Sequence, residues 1–304
     1  METPSAPRPG SSLHVKDSAP RAEPAASDGQ GQDGTDVTSN FGRVAEPGLQ
    51  RQVLEVLASA RRYNEWIASL ALPHLGGDPI EIGSGLGDQA TFWLRSGVRA
   101  LTLSDSDARS VAYLAQRFSA QKHVVVRLLD ITDAEPAEHS TAVAINVLEH
   151  TLEDQRALRA LGQLVRPGGR VVVFVPAFEF AMSRFDREIG HVRRYTKATL
   201  IEAFIAAGIQ PVDCRYINAP GLIAWMAMMK LLRRSPADGR LVRLWDAAVV
   251  PITRAVEARW QPPFGQSVLG VGLAHINGSS SHWDGQPVAT KPGSRQDRRP
   301  GCRE

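Results

Sequence analysis

The stretch Glu81-Ile-Gly-Ser-Gly-Leu-Gly-Asp-Gln89 constrains the fold more than any other part of the chain. It follows a short extended run, residues 78–82, and opens a helix-like segment, residues 89–95, so its glycines fall on a strand-to-helix turn. A turn this tight needs unusual φ values, and a ligand can approach the backbone closely only where no Cβ stands in the way. Asp105 ends the next extended run, residues 100–103, and lies 22 residues beyond Gly83. A βαβ unit delivers a carboxylate at that spacing to a ribose diol. A turn role for Asp105, with Asp107 as a helix cap, is the plain alternative.

Position 88 bears on which ligand the turn could hold. A dinucleotide turn, Gly-x-Gly-x-x-Gly, needs glycine or alanine where this chain has Asp88. Two unit charges about 4 Å apart repel by roughly 1 to 4 kcal/mol between bulk water and a protein surface. That disfavours a pyrophosphate and favours a cofactor with an adenosine, no phosphate and a positive charge.

Alternating strand and helix signals continue along the chain. Val111, Leu114, Ala115 and Phe118 mark a helix, and β-branched residues dominate a third strand at 123–129, which ends at Asp130. A fourth strand, 141–147, runs into Asn146-Val-Leu-Glu-His150. A helix over 152–165 is stopped by Pro167-Gly-Gly169, and a fifth strand covers 170–175. A helix over 196–207 closes at Gly208, and strands at 211–217 and 267–273 complete the set. This order predicts an α/β fold built on a seven-stranded, mostly parallel sheet with right-handed crossovers. Ligands bind such sheets in the crevice at the carboxyl ends of the strands.

Taken in order, the glycine turn with its Asp88, then Asp105, Asp130 in Leu-Leu-Asp-Ile, Asn146-Val-Leu-Glu-His150 and Arg166-Pro-Gly-Gly-Arg170 resemble the motifs of class I S-adenosylmethionine-dependent methyltransferases. The resemblance spans roughly residues 63–272 and implies a Rossmann-like fold with S-adenosylmethionine as cofactor. It implies that Glu81 and the backbone of Gly83, Gly85 and Gly87 hold the methionine end, and that Asp105 holds the ribose. Asp130 would take the adenine amino group and the N–H of Ile131 a ring nitrogen, with Asn146 facing the same crevice; a helix cap is the plain alternative for Asp130. The segment before the first strand often closes over the cofactor in this family, which points to Tyr63; plain core packing is as good a reading of that residue.

Residues 183–195 are too polar for a core and lack helical periodicity, which predicts a loop over the active site. Its Gly190-His-Val-Arg-Arg-Tyr195 is similar to a motif of a bacterial subgroup of these enzymes. If the acceptor is a hydroxyl, His191 and Asp186 are the candidates for general-base work, with His150 behind them. Imidazole exchanges protons in the physiological range, and Asp186 could fix its tautomer if the loop folds back.

The remaining sequence bounds the setting. Residues 1–45 and 275–304 are rich in Pro, Ser and Gly, with too little apolar surface to offset chain entropy, so one domain over 46–274 is expected between disordered tails. Apolar residues at Val53, Val56, Leu57, Tyr63, Ile67 and Leu70 predict an amphipathic helix over 49–72. No apolar run follows a basic start, so no signal peptide is expected. The two cysteines, Cys214 and Cys302, are too far apart to frame a disulfide or a metal site, which fits a reducing, cytoplasmic setting. The net charge of +3 and scattered arginines do not indicate nucleic acid. Residues 220–232 are apolar on nearly every face but too short to span a bilayer, which suggests a lid, a homodimer contact or a peripheral membrane contact. With the 178–196 loop, insertions over 218–262 would form a small helical cap. The acceptor stays open among small metabolites, sugars and lipid-linked molecules, with O-methylation favoured. A nicotinamide-type oxidoreductase and a non-catalytic S-adenosylmethionine-binding protein are the competing readings.

Overall fold

The computed structural model describes residues 55, 58–228 and 239–274. Both tails and residues 229–232 of the apolar run therefore lie outside the described residues, as does most of 49–57 in the expected first helix. That helix is described as α1, Arg61–Ala71.

At the centre is a seven-stranded sheet in the order β3-β2-β1-β4-β5-β7-β6. Strands β1 (Ile80–Ile82), β2 (Leu101–Asp105), β3 (Val124–Leu128), β4 (His139–Ile145) and β5 (Val165–Pro176) run parallel, and β7 (Ser267–Ala274) lies antiparallel between β5 and β6 (Ile209–Ile217). The expected fold class is the observed one. Between the strands run α2 (Asp88–Arg95), α3 (Ala108–Arg117), α4 (Asp154–Gln163), the short α5 (Arg184–Glu188) and α6 (Lys197–Ala206). Between β6 and β7 come α7 (Ala219–Met226) and α8 (Gly239–Glu257).

Every residue of β1 is buried, and β4 is buried from Ser140 onward, as central strands covered on both faces must be. The two faces carry separate apolar clusters. One joins Ile80, Ile82, Ala144, Leu158, Leu161, Val173 and Phe204, and the other Trp66, Trp93, Leu103, Leu114, Val143, Phe174 and Leu269. Adjacent positions on a strand point to opposite faces, so Ala144 and Val143 fall in different clusters.

Two boundaries differ from the sequence pattern. The helix expected over 152–165 spans only α4, and Val165 already pairs with His139 in the sheet. Pro167-Gly168-Gly169 is carried inside β5 as an irregularity, with Gly168 at φ +76°, before regular pairing resumes at Arg170 opposite Thr141. Hydrogen-bonded pairing to β4 sets the start of β5, not the proline.

Helix α8 supplies two carboxylates that complete other helices. Asp246 accepts the amide N–H groups of Arg62 at 3.1 Å and Tyr63 at 2.8 Å at the start of α1, whose own N-cap residue, Ala60, cannot do so. Glu257 accepts those of Asn218 and Ala219, both at 2.9 Å, at the start of α7. Acidic groups suit helix N-termini because unpaired amides concentrate positive potential there. Asp246→Ala should therefore lower the unfolding free energy by about 1 to 3 kcal/mol, the cost of stranding a capped N-terminus, as measured by urea denaturation.

Candidate active site

The glycine turn is built by groups that leave no room for side chains. Gly83, Gly85 and Gly87 have φ values of +68°, +53° and +75°, the left-handed region that only glycine enters freely. A Cβ on Gly83 would stand 2.6 Å from Val147 Cγ2, and one on Gly87 2.6 Å from the Phe118 ring. The turn is fastened to β2: Ser84 N–H donates to Ser104 O at 2.8 Å, and Gly85 N–H donates to Asp105 Oδ2 at 2.9 Å. Asp105 thus binds the turn, and its Oδ1 also accepts the Asp107 N–H at 2.9 Å. Burial pushes the Asp105 carboxyl above the ordinary range against these bonds. Under the turn lies Glu81, 2% exposed, with no hydrogen-bond partner for Oε2; burial pushes it up to about 8.

Asp88, in the first turn of α2, is not a bare charge. Arg117 pairs with it at 3.1 Å and also contacts Leu86 O. Part of the repulsion expected against a pyrophosphate is therefore neutralised, a correction that only the packing of α3 against the turn reveals.

Asp130 and Ile131 sit at the tip of β3. Asp130 Oδ1 accepts from Thr132 N–H at 2.9 Å and from its hydroxyl at 2.8 Å, capping the turn Ile131–Asp133, and Ile131 is buried. At the tip of β4, Asn146 is exposed and holds φ +53°, a left-handed conformation uncommon for a residue with a side chain. Tyr63 lies on the other half of the edge, hydrogen-bonded to Ser267 and Asn218 at the ends of β7 and β6; burial pushes its phenol up to about 12.

The segment expected as a polar loop over the site is an anchored structure with a buried polar centre. Ser183 and Asp186 form a reciprocal cap on α5, and Asp186 is 0% exposed. Its Oδ2 accepts from Ser183 N–H at 2.6 Å and from the Ser183 hydroxyl at 2.7 Å. Its Oδ1 accepts from Arg194 Nη2 at 2.7 Å and lies 2.9 Å from His191 Nδ1. Desolvation alone would raise this carboxyl, but His191, Arg194 and Ser183 together bring it down to about 2. Polar residues were read as exposed because sequence does not show that they satisfy one another. Beside them, Asp154 accepts from the Tyr195 hydroxyl at 2.9 Å and pairs with Arg193 at 2.6 Å, tying the segment to α4.

Among the predicted catalytic candidates, the structure brings His191, Asp186 and His150 together. The rings of His150 and His191 meet edge to face, with centroids 4.7 Å apart. Burial pushes the His150 imidazole down to about 3, which keeps it neutral. The sequence reading missed Glu149, which is fully buried, with Oε1 3.9 Å from His191 Nε2 and neither oxygen hydrogen-bonded. Burial pushes its carboxyl up to about 7. Its place beside His150 at the carboxyl end of a central strand was the available signal.

The apolar run after β6 is covered in part by this same segment. Trp225 Nε1 donates to Ala181 O at 3.1 Å, and the Arg194 guanidinium lies 5.1 Å above the Trp225 ring. Leu222 is buried while Ile223 is 63% exposed. Among the described residues no helix is long and apolar enough to cross a membrane.

Comparison with known proteins defines the class. Residues 80–171, from β1 into β5, match the family model described as a methyltransferase domain. Over these residues the chain has a methyltransferase domain, an enzyme domain that uses S-adenosylmethionine. Among solved structures, the chain is similar to one from the complex between the Haloferax volcanii Trm112 methyltransferase activator and its methyltransferase. That match has 14% identity and a TM-score of 0.52, and covers 77% of this chain and 100% of the other. It is also similar to a geranyl diphosphate methyltransferase in complex with GPP and sinefungin, at 13% identity and a TM-score of 0.50, over 68% of this chain and 78% of the other. No curated protein matches the sequence significantly. These structural likenesses confirm the fold, and the family match displaces the oxidoreductase alternative.

The network around Asp186 makes a stability prediction that separates anchoring from chemistry. Asp186→Ala should cost about 3 to 5 kcal/mol, because it leaves the buried Arg194 without its counter-charge. His191→Ala leaves the Arg194 and Ser183 bonds intact and should cost about 1 kcal/mol. Urea denaturation of the two variants measures the difference.

Proposed function

We propose that this domain transfers the methyl group of S-adenosylmethionine to a hydroxyl oxygen of a small-molecule acceptor, sugar and lipid-linked hydroxyls included, with His191 as general base. The observation that supports this most is the 2.9 Å contact between His191 Nδ1 and the buried Asp186 carboxylate. A carboxylate on Nδ1 fixes the tautomer that leaves Nε2 as the proton acceptor. Only 11% of the His191 side chain is exposed, which limits competition from water.

The cofactor supplies an electrophilic methyl group on a sulfonium. Glu81, beneath the turn, and the backbone of Gly83, Gly85 and Gly87 hold its methionine end, where the ammonium favours the ionised form of a carboxylate that burial otherwise keeps protonated. Asp105 would bind the ribose, Asp130 and the Ile131 N–H would take the adenine, and Asn146 would face the same crevice, while Tyr63, held against Ser267 and Asn218, takes the core-packing role. The acceptor hydroxyl would give its proton to His191 Nε2 as its oxygen takes the methyl carbon, whose bond to sulfur would break with the electron pair left on the sulfur, and His150, neutral and packed edge-on, would hold the ring in place. Positioning and exclusion of water supply the rest of the rate enhancement.

Residues 220–228 enter the proposal as a contact surface for a membrane or a second copy only through exposed groups such as Ile223, since Trp225 and Leu222 are covered by the domain.

Two experiments test the assignments. Asp105→Ala should weaken S-adenosylmethionine binding about ten-fold or more, because hydrogen bonds to a charged acceptor contribute roughly 1.5 to 3 kcal/mol each. Calorimetric titration of a variant whose circular dichroism is unchanged measures this, and an unchanged affinity removes Asp105 from the site. His191→Ala should lower turnover by about 10² to 10⁴ with cofactor affinity nearly intact. Near-normal turnover of both His191→Ala and His191→Asn would reject the base assignment.

A further inference from the structure

Glu149 is the least explained group in the described part of the molecule. A carboxylate with no exposure and no hydrogen-bond partner on either oxygen is costly, and native structures pair such groups with protons, cations or metals. Two imidazoles lie beside it. One ligand atom from each of Glu149, His150 and His191 can be chosen so that all three fall within 4.8 Å of one another.

We propose that Glu149, His150 and His191 form a binding site for a divalent transition-metal cation of the zinc class. Zinc–nitrogen and zinc–oxygen bonds of about 2.0 to 2.2 Å at tetrahedral angles put ligand atoms roughly 3.3 to 3.6 Å apart, so the widest pair in the cluster has to close by up to about 1.5 Å, within reach of side-chain rotation. Two imidazoles with one carboxylate suit zinc, iron or cobalt, whereas magnesium and calcium prefer oxygen ligands.

The surroundings are those a metal-binding histidine requires. His191 Nδ1 is held by the Asp186 carboxylate at 2.9 Å, which leaves Nε2 as the ligand atom, 3.9 Å from Glu149 Oε1. A carboxylate behind the imidazole fixes its tautomer and orientation in metal sites. The bond from Val192 N–H to Glu149 O at 2.8 Å ties the segment carrying His191 to the one carrying Glu149, and His150 N–H donates to Val147 O at 3.0 Å within the turn that presents Glu149 and His150. His150 and His191 are half-buried rather than buried, so the cluster is not sealed from solvent.

This site goes beyond the base assignment and does not need it. Nε2 cannot hold a cation and accept a proton at once. In the metal-loaded protein, three protein ligands leave an open coordination position, and that position rather than Nε2 would receive an acceptor oxygen.

The test uses the untagged full chain, stripped with a chelator and titrated with Zn²⁺ by calorimetry, with Co²⁺ as a spectroscopic probe. The expected result is one site per chain, weakened about 100-fold or more by Glu149→Gln and by His191→Ala, and unaffected by His123→Ala on the far side of the sheet. The Co²⁺ absorption bands should disappear in the same two variants. Circular dichroism confirms that each variant is folded, and His150→Gln replaces either one that is not. Absence of a stoichiometric site in the wild-type chain, or equal Zn²⁺ affinity in the folded variants, overturns the proposal. Because the readout is binding, either outcome leaves the base assignment to be decided separately by turnover.

Discussion

One buried carboxylate holds an edge of this domain together. Asp186 has no exposure, yet it accepts from four donors on three residues: the Ser183 amide and hydroxyl, Arg194 and His191. An ionised group in that position is tolerated only because every bond it lost from water is replaced. Arg194 then stacks on Trp225 and donates to Ala177 O at 3.0 Å, so the same charge network fixes α7 and the end of β5. Orientation of His191 follows from a network whose first task is to satisfy buried charge.

The other half of the edge is organised by exclusion of side chains. The backbone from Gly83 to Gly87 is pressed between Val147 on one side and Phe118 with Leu114 on the other. Asp105 and Ser104 then bind the turn from β2. The two halves meet where β1 lies between β2 and β4, the point at which the strand order reverses and ligands bind in sheets of this kind. Acidic groups recur along this edge, and their environments push them apart. Asp186 is held ionised by partners, while Glu81 and Glu149 are driven toward the neutral form by burial. Groups so divided at one edge are a recurrent sign of a functional site.

Much of the architecture was legible in the sequence because it depends on short-range periodicity. The strands, the turn and the spacing of Asp105 need only alternation, glycine placement and chain length between them. The start of β5 was not legible, since Val165 joins the sheet through a partner, His139, that local sequence does not reveal. Asp246 and Glu257 could not be read as caps of α1 and α7 either, because each lies far along the chain from the amides it accepts.

The site divides along the same line. The sequence by itself determined the glycine turn, the carboxylate at the tip of β2 and the presence of His150, Asp186 and His191, because strand–turn–helix geometry places such residues at one edge of a parallel sheet. Only the tertiary structure decided that Asp186 is buried, that Arg117 neutralises Asp88, and that Glu149 stands unpaired beside two imidazoles. The physical reason is that burial and charge pairing are properties of what surrounds a group. Those surroundings are assembled from segments tens of residues apart, which no local pattern encodes.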